Sequence, residues 1–221
     1  MNEPRSFDLA RYVLATLLLL NAVGCAFMTK VQEPAYVVQK EDAPFQIRHY
    51  EGRIVAETRV DGPWLDAGNE GFRRLASYIF GNNSRRSKVA MTAPVGERNQ
   101  GRSIPMTAPV AERGEGQEWV VSFTMPREET LETLPEPKDP RVSLRELGPT
   151  TVAVVRFSGR WTEENMEEHE GKLRAWLHHQ GRAAGSPAEV QRFDPPWKPW
   201  FLRRNEIWVP LEETASRESP R

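Results

Sequence analysis

One residue pattern occurs twice in this chain, and that repetition limits the folds open to it. Residues 55–64 read Val-Ala-Glu-Thr-Arg-Val-Asp-Gly-Pro-Trp, and residues 152–161 read Val-Ala-Val-Val-Arg-Phe-Ser-Gly-Arg-Trp. Val55, Ala56, Arg59, Gly62 and Trp64 recur as Val152, Ala153, Arg156, Gly159 and Trp161, at a constant offset of 97 residues. The match extends upstream without a gap, since Ile47-Arg48 aligns with Leu144-Arg145. Each copy is a strand-like run closed by Gly-x-Trp and followed by a helical pattern. Such self-similarity marks a duplicated structural unit. Two copies that each leave an apolar face bare can cover both by pairing about a pseudo-twofold axis, and a cleft at that junction is a natural place for a ligand.

The first 25 residues read as a targeting segment. Arg5 and Arg11 give a weakly basic start, and Tyr12 to Val23 is a mostly apolar run of 12 residues interrupted by Thr16 and Asn21. A helix of that length covers about 18 Å, short of the ~30 Å hydrocarbon core of a bilayer. A secretory signal segment fits that length better than a membrane span. Ala22-Val23-Gly24-Cys25 resembles a bacterial lipobox, with Ala22 where Leu is more usual. Cys25 is the only cysteine and so forms no internal disulfide. One expectation is therefore a lipidated Cys25 that anchors the protein to the periplasmic face of the cell envelope. Ala26, in place of Asp, is compatible with sorting to an outer membrane. The alternatives are an incidental thiol and an uncleaved N-terminal helix.

With residues 1–24 removed the net charge stays at −1, since two acids and two bases leave together. Without a basic excess, nucleic-acid binding is not the expected task. Residues 26–34 read as a tether and 212–221 as a polar tail. Residues 35–211 are long enough for one substantial core, in halves of about 35–126 and 141–211 joined by a proline-bearing linker at 127–140.

Alternation and turn residues predict strands over 36–39, 45–48 and 53–60. A helix follows, capped by Asp66, with Phe72, Leu75, Ala76 and Ile79 on its buried face and Gly81 at its end. Residues 89–95 and 104–110 read as two arms of a hairpin around the polar loop 96–102, and 119–125 as a further strand. The second half repeats the plan. Strands lie over 142–145 and 152–157. Thr162 caps a helix whose face carries Met166, His169, Leu173, Trp176 and Leu177, with Gly181 after it. Strands over 190–193 and 206–211 flank the loop 195–201. The expected fold is α+β: two strand-strand-helix-strand-strand units forming a distorted antiparallel barrel or sheet flanked by two helices.

Two segments carry possible chemistry. Met-Thr-Ala-Pro-Val occurs at 91–95 and again at 106–110. Met91 and Met106 could form a soft wall for a flat apolar ligand, or the repeat could simply be shared packing. Asp194-Pro195-Pro196-Trp197-Lys198-Pro199-Trp200-Phe201 is stiffened by proline. It presents aromatic faces suited to a planar ring system, with Lys198, Arg203 and Arg204 placed to pair with ligand carboxylates. The alternative is a loop that seals one end of the barrel. Of the four histidines, His169 falls on an apolar helix face, His178 and His179 sit at a helix C-terminus, and His49 lies where a strand meets a turn. The sequence contains no HExxH, paired CxxC, nucleophile elbow or phosphate-binding glycine loop. Glu206 is the best carboxylate for a general base, with a structural ion pair to Arg203 or Arg204 as its competing role.

Lys88–Val95, Ile104–Val110, Phe123–Pro126, Arg156–Gly159 and Phe193–Glu206 together resemble the SOUL/heme-binding protein family over about residues 35–211. The resemblance implies a pseudo-symmetric barrel-like domain with two helices, and heme or a related tetrapyrrole held in an apolar groove beside the first helix. It places Lys198 at a heme propionate. Asn69 and Ser77 stand where animal members carry basic residues, which leaves Arg73 and Arg74 as substitutes. Some animal members supply an axial histidine; His49 is the weak candidate here, and axial ligation stays open. The leading expectation is a non-catalytic tetrapyrrole carrier or buffer in the cell envelope. The rivals are a small-molecule hydrolase and a peptide- or partner-binding module using the same cleft.

Overall fold

The computed structural model describes residues 31–99 and 118–211. The chain runs β1 (Tyr36–Asp42), β2 (Phe45–Tyr50), β3 (Arg53–Asp61), α1 (Trp64–Ile79), β4 (Val95–Asn99) and β5 (Glu118–Thr124). It continues with β6 (Val142–Leu147), β7 (Thr150–Phe157), α2 (Glu163–His179), β8 (Glu189–Arg192), a 3-10 turn (Trp200–Leu202) and β9 (Asn205–Pro210). The strands form one antiparallel sheet, curled into a half-barrel, in the order β1-β2-β7-β9-β8-β4-β5-β3-β6.

That order carries the duplication. Outward from the β8–β4 contact, β9 matches β5, β7 matches β3 and β2 matches β6, so a pseudo-twofold axis passes between β8 and β4. β1 is an added edge strand. The two halves are interlocked, because each lends its leading strand to the other: β2 pairs with β7, and β6 with β3. The register obeys the repeat. Ile47 faces Ala153, and its counterpart Leu144 faces Ala56. Neither half keeps its full sheet without the other.

The helices cover one face of the sheet. α2 buries Met166, Leu173, Trp176 and Leu177 against Ala153, Val155, Ile207 and Val209. Thr162 caps it as expected, its Oγ1 accepting from the Asn165 N–H at 3.3 Å. His169 is half-buried and stacks on Phe157 at 4.0 Å between ring centres. α1 packs Leu75, Tyr78 and Ile79 against Ala56, Val121 and Phe123. Along β7, side chains alternate between the two faces, so Val152 and Val154 pack with Tyr50 and Trp208 on the face away from the helices.

Several expectations need correction. α1 begins at Trp64 with Pro63 at its cap, and Asp66 is a first-turn acid rather than the cap. Phe72 is 40% exposed. The buried face instead uses Ala67, Gly68 and Gly71, whose small size lets the helix lie close to the sheet: a Cβ on Gly71 would fall 2.4 Å from Val121 Cγ2. Hydrophobic periodicity cannot register such residues. The first Met-Thr-Ala-Pro run is not a strand; β4 starts only at Val95 and runs through the segment read as a turn. Pro94 has no N–H for a ladder, and Thr92 forms only an isolated bridge to Gln32. The second run, with Met106, lies outside the described residues. The proline-bearing connection 127–140 is packed, with Leu134 in the α1 core and Tyr78 Oη donating to the Pro135 carbonyl at 2.9 Å.

Candidate ligand-binding surface

Both copies of Gly-x-Trp converge on the pseudo-twofold axis. Gly62 and Gly159 have φ of 123° and 139°, a region that side chains with a Cβ rarely enter. Each turn delivers its tryptophan to a helix N-terminus. The Arg192 guanidinium lies by both rings, with Cζ 5.0 Å from the Trp64 ring centre and 4.5 Å from that of Trp161. Arg192 Nη2 donates to Glu97 Oε2 at 2.8 Å, and Trp64 Nε1 donates to the same oxygen at 2.6 Å. Burial pushes the Glu97 carboxyl above its ordinary range, against the opposing charge of Arg192 and the Trp64 hydrogen bond. Trp161 Nε1 donates to Asn205 Oδ1 at 2.9 Å. Arg192 Nε and Trp119 Nε1 have no partner among the described residues.

The aromatic loop grows from this centre. Arg203 covers the Trp161 ring at 4.5 Å, its Nε donating to the Lys198 carbonyl at 2.8 Å and its Nη2 to the Pro196 carbonyl. Lys198 Nζ pairs with Asp194 at 2.7 Å, and the other Asp194 oxygen accepts from the Arg204 backbone N–H at 2.5 Å. The Arg204 side chain binds Glu33 at 3.0 Å and Glu206 at 2.9 Å. The polar side chains thus hold the loop's shape, while its apolar ones face out. Trp197 is 83% exposed, Phe201 and Leu202 57% each, and Trp200 47%. Trp200 meets Phe201 edge to face at 5.5 Å, and Arg160 lies 5.4 Å from the Trp200 ring centre. The bases expected for a ligand are therefore engaged internally, Arg203 by two loop carbonyls, Arg204 by Glu33 and Glu206, and Lys198 through one ion pair.

On the opposite face, Glu206 is the hub of a buried network that sequence reasoning only half located. Its partner is not Arg203. Arg48 reaches it at 2.8 Å, Arg156 at 3.2 Å, Arg204 at 2.9 Å and Trp208 Nε1 at 2.9 Å. Burial acts to raise its pKa, but the hydrogen bonds and charges of Arg48 and Arg204 prevail and hold the carboxyl below its ordinary range. A carboxylate so tightly held is a poor general base. Arg48, in a strand and nearly 100 residues from its repeat mate, gave no sign in the sequence of its buried partner.

Two concavities open on the surface, and the first mixes polar with apolar lining, Ile54, Met125 and Leu131 among the latter. One, of about 720 Å³, is lined by Glu51, Arg53, Thr92, Met125, Glu132 and Glu146 among others. The Arg53 guanidinium lies 5.5 Å from the Tyr50 ring centre and 5.8 Å from that of Trp208, and its Nε and Nη1 are buried without a hydrogen-bond partner among the described residues. The other, about 560 Å³ and shallow, runs beside α1 along Asp61, Asp66, Asn69, Glu70, Arg73 and Arg74. Arg73 and Arg74 are both bonded to Glu70 at 2.8 Å. This is not the apolar groove that the resemblance implies; the exposed apolar side chains of α1 are Leu65 and Phe72, the latter edge-on to Phe123 at 5.4 Å, and Met91 is 39% exposed. His49 Nδ1 lies 2.9 Å from Thr151 Oγ1. Among the described residues no three His, Cys, Asp or Glu side chains are grouped to hold a metal ion. Cys25 lies outside the described residues.

Duplicated half-barrel, paired helices and an outward aromatic loop define the class as an α+β domain built from two like halves. The sequence profile of the SOUL heme-binding proteins matches residues 31–210, and the chain belongs to that family. It is 28% identical to heme-binding protein 1 of Xenopus laevis over 171 residues, covering 77% of this chain and 85% of that protein. To human heme-binding protein 2 it is 26% identical over 195 residues, covering 86% and 90%. Among solved structures, the EcmrR C-terminal domain superposes with a TM-score of 0.58 at 11% identity, over 76% of this chain and 96% of that one. That likeness is one of fold.

Proposed function

We propose that this protein binds heme or a related tetrapyrrole on the aromatic loop 195–202 and acts as a non-catalytic carrier or buffer, held to the cell envelope by a lipidated Cys25. The observation that carries the proposal is the outward aromatic platform of Trp197, Trp200, Phe201 and Leu202, in a chain of the SOUL heme-binding family. A porphyrin face gains from apolar contact and ring stacking. Its propionates suit Lys198, which is 36% exposed and can exchange Asp194 for a ligand carboxylate, and Arg160 beside Trp200. The residues present fit the ring and the carboxylates. The loop 193–204 contains no His, Cys, Met or Tyr, so an axial ligand would come from elsewhere. A carrier needs no catalytic group, and the arginine-bound state of Glu206 accords with that. Lipid attachment follows from the lipobox-like Ala22–Cys25. Titrating the full chain with hemin tests the ligand. The expected result is a saturable Soret change at one hemin per chain at micromolar protein, and no saturable change overturns the proposal.

A further inference from the structure

Beyond a ligand platform, the exposed loop has the make-up of a membrane contact. We infer that it docks on the same phospholipid bilayer that holds the chain's N-terminus, with Trp197, Trp200, Phe201 and Leu202 seated at the boundary between headgroups and acyl chains.

Three observations support this. Tryptophan beside aliphatic side chains is what bilayer interfaces select, since its ring is apolar while its N–H stays near water. The loop's polar side chains close on one another through Asp194, Lys198, Arg203 and Arg204, so seating the apolar ones brings no unpaired carboxylate along. Finally, the N-terminal segment enters the domain at the base of this loop. Glu33 is bonded to Arg204 at 3.0 Å, and Gln32 accepts from the Ala93 N–H at 3.0 Å. Cys25 is eight residues before Glu33 in the sequence, which spans at most about 28 Å when extended. An anchor at Cys25 therefore tethers the loop within reach of the same lipid surface. A tetrapyrrole dissolved in lipid would meet its binding face without crossing water. The docking rests on the N-terminal attachment proposed above, but not on tetrapyrrole binding.

Of the seven tryptophans, only Trp197 and Trp200 are exposed. The full chain is reconstituted, without hemin, in phosphatidylcholine vesicles of plain or brominated lipid. The expected result is that the chain sediments with the vesicles and that brominated lipid removes most of the emission of two of the seven tryptophans. W197F/W200F should still sediment and lose that quenchable component. W197S/F201S/L202S, which keeps Trp200, should show quenching reduced several-fold. Sedimentation without quenching overturns the docking while the anchor stands, as does quenching unchanged in W197F/W200F. A chain that fails to sediment overturns both.

Discussion

Replacing Glu206 with Gln removes the charge that holds three arginines together while keeping the side chain's shape. The decisive partner is Arg48, whose side chain is 1% exposed against 0% for Glu206, so the guanidinium left behind has no route to water. Arg156 is half exposed and Arg204 keeps Glu33, so both are compensated. Removing one member of a buried pair costs about 3–5 kcal/mol. For a domain of this size that is a fall in Tm of about 10 °C, at about 2–4 °C per kcal/mol. The pH dependence has a defined sign. Because the folded pKa of Glu206 is depressed, its contribution is complete above the ordinary glutamate value of about 4.3 and is lost as pH falls toward the folded value. The gap between parent and E206Q should therefore narrow on going from about pH 7 to about pH 3. Thermal melts followed by circular dichroism measure both. R48M/E206L, which removes both charges, should lose less than E206Q. A variant melting within about 2 °C of the parent at neutral pH, where a 1 kcal/mol loss alone would shift Tm by that much, would refute the account.

Gly71→Ala drives a Cβ to 2.4 Å from Val121 Cγ2 and should cost about 1–3 kcal/mol in urea denaturation, with Val121→Ala restoring only part of it, because the residue 121 Cβ itself stays 2.6 Å away. Gly62→Ala meets no atom within 4 Å and should lose only the backbone cost of positive φ, about 1–2 kcal/mol. Gly159→Ala should lose more, because its Cβ would fall 2.6 Å from Asn165 Nδ2; equal losses would show that the contact is immaterial. Trp200→Ala should weaken hemin binding about 5- to 10-fold, the worth of one aromatic pair, while His49→Ala should leave the Soret spectrum unchanged if it is not an axial ligand. Mass spectrometry of the membrane-bound protein should find an N-terminal lipid-modified Cys25, absent in C25S; recovery of Met1 would refute the anchor.

The sequence by itself determined the duplication, because a repeated unit repeats its glycines, its tryptophans and its alternation. The Gly-x-Trp copies marked the two positive-φ turns, Thr162 marked its helix start, and the α+β class followed from element order. The proline loop was legible as a stiff aromatic display because proline limits φ whatever surrounds it. Only the tertiary structure decided what depends on contacts between distant residues. The exchange of β2 and β6 between halves, the Arg48–Glu206 pair and the Arg192 stack between Trp64 and Trp161 join positions that share no local pattern. The close seat of α1 on Gly68 and Gly71 was hidden for the opposite reason, since the signal was an absence of side chain. Lys198, Arg203 and Arg204 looked free for a ligand in sequence because charge is visible there and pairing is not. In the fold, Asp194, Glu33 and the loop's own carbonyls take up those donors, and the loop is left to meet its surroundings through Trp197, Trp200, Phe201 and Leu202.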